Sequence, residues 1–169
     1  MPLLLGLAGT IDRLNAAIGR AVAWLALFIV IVEFALVIGR YALDFGSIRL
    51  SESVIYGHAA LFLLAAAWTL QAGGHVRVDV FYAQASPRAR ALIDLIGALL
   101  LLLPFALVLL WLSVPYAAQS WAILERSQES SGLPLVFVLK TFIPLFALLM
   151  LLQGIAQAVR AWGALHEPR

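Results

Sequence analysis

Glu33 stands alone in the middle of a long apolar stretch, and a single membrane-embedded carboxylate is a group that can couple proton movement to solute movement. His58 lies in a second apolar stretch, where an imidazole could ligate haem or a metal. His75, Arg77 and Asp79 crowd within five residues, the residue types of acid–base chemistry. Each has a plainer reading. Haem needs a second axial ligand, yet His75 is 17 residues from His58, about 25 Å along a helix, and His166 is in the tail, so His58 reads as a packed polar side chain. Glu33 has no second mid-membrane acid and no interrupted helix pair beside it, so it reads as a contact within the bundle or with a partner. No nucleophile, glycine-rich phosphate loop or metal-spaced cluster accompanies the charged triplet, which reads as a boundary anchor or a subunit contact. No catalytic, cofactor or metal residues are assigned. A stand-alone proton-coupled four-span exporter using Glu33 is the alternative function.

These groups sit on a chain of 169 residues that is 64% hydrophobic and 12% charged, too apolar for a soluble domain. The reading is an all-α integral membrane protein with four transmembrane helices plus short interfacial helices. With no cysteine there is neither a disulfide framework nor a thiolate site. A net charge of +2, dispersed along the chain, gives no case for nucleic acid.

Residues 1–20 place Leu7, Ile11, Leu14 and Ile18 on one helical face, with Asp12, Arg13 and Asn15 elsewhere, and read as an amphipathic cytoplasmic segment rather than a cleaved leader. The first span is 21–43, with Arg40 and Tyr41 at its far boundary. The second is 51–72, with Ser51 as N-cap, Glu52 in the first turn, and Gly73 and Gly74 supplying the left-handed stop. Residues 73–90 form a loop in which Val76, Val78 and Val80 alternate with Arg77, Asp79 and Phe81, an extended or interfacial pattern. Ser86 and Pro87 then open the next helix as N-cap and N1. The third span is 91–115, with Pro104 inside it; a loop covers 116–132. The fourth is 133–159, with Pro134 in its first turn and Pro144 inside it, and a tail of 160–169 follows. Small residues in the second span, among them Gly57, Ala60 and Ala67, allow close helix contact, and the tryptophans read as depth anchors. Arg13, Arg20, Arg77, Arg88, Arg90, Arg160 and Arg169 fall on one side, against Arg40, Arg49, Arg126 and Lys140 on the other, so both termini and the His75 loop are expected to be cytoplasmic.

Gly74-His75-Val76-Arg77-Val78-Asp79, directly after the second of four spans, resembles the Gly-His-Ile/Val-Arg-Val-Asp signature of the small membrane subunit of tripartite ATP-independent periplasmic (TRAP) transporters. The resemblance extends to Arg40-Tyr41, Ser51-Glu52 and Gly132-Leu133-Pro134; it departs where related proteins carry an aromatic residue and a second acid around the second of these, since Leu50 and Ser53 flank Ser51-Glu52 here. It implies a non-catalytic scaffold in the bacterial inner membrane. Its partners would be membrane lipids, a large multi-span permease subunit holding the ion and solute sites, and a periplasmic solute-binding protein. The implied process is ion-gradient-driven uptake of organic anions such as carboxylates. On this reading Glu33, Arg40, Glu52, His75, Arg77 and Asp79 are the candidate subunit-interface residues.

Overall fold

The computed structural model describes residues 1–75 and 82–166. The described residues form five α-helices: α1 (Pro2–Ala42), α2 (Ile48–Gln71), α3 (Pro87–Gly97), α4 (Leu103–Ala122) and α5 (Val136–His166). A π-turn, Ala98–Leu102, joins α3 to α4 in one continuous rod, so four rods are long and apolar enough to cross a membrane. This is an all-helical protein with four membrane-crossing elements.

Three local expectations hold. Ser86 accepts from the Ala89 amide and Pro87 occupies the first turn of α3. Gly73 adopts φ +71° just past α2, where a side chain would be strained. Gly57, Ala60 and Ala67 are buried along α2, and a Cβ on Gly57 would lie 3.1 Å from Ile29, which is why α1 and α2 approach so closely.

Other boundaries differ from the expectation. The amino-terminal segment does not end at residue 20: α1 is one unbroken helix of 41 residues, about 61 Å long, because nothing after Pro2 breaks it and its first turns are docked on α5. The N-cap of α2 is Ser47, not Ser51. Ser47 has extended backbone and accepts from the Leu50 amide, which places Glu52 beyond the first turn and frees its carboxylate for a distant contact. Pro134 precedes α5 rather than opening it.

Pro104 cannot donate to the carbonyl one turn back, and the rod responds just upstream by π geometry, with the Leu103 amide bonded to the Ala98 carbonyl. Ala91, Ala98, Ala106, Ser113 and Ser120 are buried along this rod at spacings of seven, eight, seven and seven residues. The odd eight spans the π-turn, which absorbs the extra residue.

α5 is the hub. It packs against α1, α2, α3 and α4, whereas α4 rests chiefly on α5 and the π-turn. The core reflects this: Ala67, Ala106, Leu149 and Met150 meet at the centre, and Ala147 and Ala156 of α5 are fully buried. The outcome is an open raft of helices with broad apolar outer faces, including Phe34, Phe62, Leu101 and Trp111.

Candidate functional site

Two polar clusters fasten the raft at its two ends. At the end where both termini lie, the Asp12 carboxylate accepts from Arg160 Nη1 at 2.5 Å and from Gln153 Nε2 at 3.1 Å. Gln153 Oε1 in turn accepts from Asn15 Nδ2 at 2.7 Å, and Asn15 and Gln153 are both essentially fully buried. These bonds tie α1 to α5 through groups held away from water, where polar atoms need partners; of these, Asn15 Oδ1 alone is left without one among the described residues. Asp12 and Asn15 sit off the apolar stripe of the amino-terminal segment; they face α5, while Leu7 and Leu14 of the stripe are exposed.

At the opposite end the Glu52 carboxylate accepts from the Leu133 amide and from the Ser127 hydroxyl, and the Ser127 amide donates to the Leu133 carbonyl. A Cβ on Gly132 would stand 2.7 Å from Glu52 Oε1, so only glycine fits under the carboxylate. Arg49 Nε adds a bond to the Ser131 carbonyl. Next to this clasp, Lys140 pairs with Glu125 at 2.6 Å and lies over the Tyr116 ring, while Trp121 donates to Thr141 and meets Phe137 edge-on. The Lys140 hydrogen bond holds the Glu125 carboxyl below the usual carboxylate range.

The candidate interface residues are distributed around this frame. Glu33 and Arg40, two turns apart on α1, are both exposed and make no hydrogen bond or ion pair among the described residues. Glu52 is committed within the chain, as described. His75 is exposed just past the Gly73 turn. Arg77 and Asp79, with the alternating segment around them, lie outside the described residues.

His58 is a correction: it is exposed on the outer face of α2, stacked on Phe62 at 5.9 Å, rather than packed inside. Position 58 projects outward because the inward positions of α2 belong to Gly57, Ala60 and Ala67. Trp68 is the exception among the depth anchors, being pressed against Gly19 of α1, whereas Trp24, Trp111, Trp121 and Trp162 are exposed. Among the described residues no cluster of three His, Cys, Asp or Glu is placed to hold a metal.

The Asp12–Gln153 and Glu52–Leu133 contacts were not evident from sequence. The one sequence signal was for the second, since Ser51-Glu52 and Gly132-Leu133-Pro134 both belong to the resemblance that the sequence carries.

A multi-pass α-helical membrane protein with internal polar fasteners and unpaired charges on its outside is the class that this geometry defines. Residues 29–164 match the family described as tripartite ATP-independent periplasmic transporters, DctQ component, and the chain belongs to that family. It is thus a small membrane subunit of a TRAP transporter. No curated protein and no solved structure matches it.

Proposed function

We propose that this chain is a non-catalytic scaffold for a large multi-span permease subunit, supporting ion-gradient-driven, binding-protein-dependent import of organic anions such as carboxylates. The observation that carries the reading is Glu33. It is exposed within the apolar part of α1 and has no hydrogen-bond or ion-pair partner among the described residues. Facing lipid, an ionised carboxylate there would cost about 2.5–3.5 kcal/mol on insertion scales, a cost that a donor on a neighbouring subunit removes. Arg40, on the same helix nearer the Glu52 end, and His75 at the other end supply further contact groups for the same partner, with Arg77 and Asp79 beside His75 in sequence. The clasp at Glu52 orders the loop that a solute-binding protein would approach. The proposed setting is the bacterial inner membrane with both termini cytoplasmic, which makes the Glu52 end periplasmic.

The test is co-expression with the large subunit. Glu33→Lys should reduce co-purification by about tenfold or more, and Glu33→Gln, which still hydrogen-bonds, should preserve both co-purification and uptake. Proton-driven solute flux by the purified chain alone in liposomes, abolished by Glu33→Gln, would overturn the scaffold reading. Labelling of residue 75 from outside intact cells would overturn the orientation.

A further inference from the structure

The Gly73 turn stops α2 short at the termini end, while α1, α3 and α5 continue past it. The space left behind is a cleft in two adjoining compartments with Leu70, Asp94 and Gln157 in the walls of both. The first, about 450 Å³, is the more polar of the two: Gln71, Arg90, Asp94 and Arg160 stand among apolar neighbours such as Leu70 and Ala91. The second, about 490 Å³, has a mostly apolar lining that includes Leu70, Ile93, Leu102 and Met150. Gly97 and Leu102 also line an apolar groove that continues along the rod past Pro104 and Phe105 to Val108. From Gly97 to Val108 is about 16 Å of helix, close to the roughly 15 Å hydrocarbon depth of one leaflet.

The polar compartment carries both signs of charge with capacity unused. Arg160 gives only Nη1 to Asp12, leaving Nε and Nη2 without hydrogen bonds among the described residues. Arg90 uses Nε and Nη2 on the carbonyls of Tyr82, Ala83 and Ala85, which fixes its guanidinium at the wall. Asp94 accepts from the Tyr82 hydroxyl through Oδ2, with Oδ1 unused among the described residues. Gln71 Oε1 is a buried acceptor with no donor among the described residues. A ligand that answers all four must present an anion and an ammonium a few ångströms apart, and a ligand that also fills the apolar compartment must carry an acyl chain.

We propose that this cleft holds one phospholipid with a phosphoethanolamine headgroup. Its phosphate lies against Arg90 and Arg160, its ammonium donates to Asp94 and Gln71, and one acyl chain follows the Gly97–Val108 groove. The site belongs to the chain itself and does not depend on the scaffold reading.

The test uses the purified full chain reconstituted in nanodiscs of equimolar phosphatidylethanolamine and phosphatidylglycerol, re-extracted in detergent and analysed by native mass spectrometry. One phosphatidylethanolamine per chain should be retained, about tenfold enriched over phosphatidylglycerol, the ratio that loss of a well-made charged hydrogen bond would erase. Gln71→Leu and Asp94→Asn should bring the two lipids toward parity. Gly97→Phe is the blocking variant: a Cβ on Gly97 meets nothing within 4 Å, so the backbone accepts a side chain there, an unchanged Tm checks the fold, and the ring should block the passage between compartment and groove and abolish retention. Retention that mirrors the nanodisc composition, a preference for phosphatidylglycerol, undiminished retention by Gly97→Phe, or displacement by free phosphoethanolamine would each overturn the proposal.

Discussion

The carboxylate of Glu52 and the backbone amide of Leu133, 81 residues apart in sequence, are joined by a hydrogen bond that ties the start of α2 to the loop before α5. The bond brings together two sequence elements, Ser51-Glu52 and Gly132-Leu133-Pro134, that the family resemblance picked out separately. Because Gly132 lies directly beneath the carboxylate, the loop cannot accept a side chain there without opening the clasp. Gly132→Ala is therefore expected to destabilise the protein by about 1–3 kcal/mol, seen as a lower Tm in detergent. Glu52→Gln, tested in the same way, should lower Tm, and the double variant should lose less than the sum of the two, since both act on one clasp.

Gln153 connects Asn15 to Asp12 inside the bundle. Gln153→Leu strands the buried Asn15 amide and should cost about 1–3 kcal/mol in thermal unfolding. Pairing it with Asn15→Leu, which removes the stranded group as well, should recover much of that loss. A double variant less stable than Gln153→Leu alone would show that the amide pair is not what holds α1 to α5.

Glycines along α1 separate by what surrounds them. A Cβ on Gly19 would come within 2.5 Å of the Trp68 ring, so Gly19→Ala should push α1 off α2 and lower stability by about 1–3 kcal/mol. Gly6 and Gly9 have open space, and alanine there should raise helix stability by up to about 1 kcal/mol each. Equal effects at all three positions in a detergent melt would contradict the close contact.

Glu125 titrates below the ordinary glutamate range because Lys140 bonds to its charged form. A depressed folded-state pKa stabilises above the unfolded value and stops doing so as pH falls through the folded one. The Tm of the wild-type chain should therefore fall below about pH 4, with the drop at Glu125 absent in Glu125→Gln. A Glu125→Gln variant whose Tm tracks wild type throughout that range would exclude any contribution from the ion pair.

Features written within a few residues of themselves were legible in the sequence. Four apolar runs gave the four crossings, Ser86-Pro87 gave the start of α3, and Gly73 gave the stop of α2. The N-cap of α2 was not, because Ser47 and Ser51 are both acceptable cap residues and the local sequence alone does not decide which one starts the helix. Asp12 and Asn15 misled for a related reason: in a short amphipathic segment polar residues point to water, and only the arrival of Gln153 and Arg160 on α5 turns that face inward. For the candidate interface, sequence named Glu33 as a contact without fixing whether the chain itself covers it; in the structure it is exposed at the edge of the face through which Ile29 and Leu36 dock α1.

The eight-residue step across Ala98 and Ala106 amounts to a frameshift written into the leucine run 99–103. In an ordinary transmembrane helix, deleting one residue turns everything downstream by about 100° and scrambles which side chains face the neighbour. Here the same deletion would cancel the surplus residue, let the wide turn relax to α geometry, and leave Ser113 and Ser120 pointing where they do now. The rod is built to tolerate an indel at one place along its length, and that place adjoins the cleft.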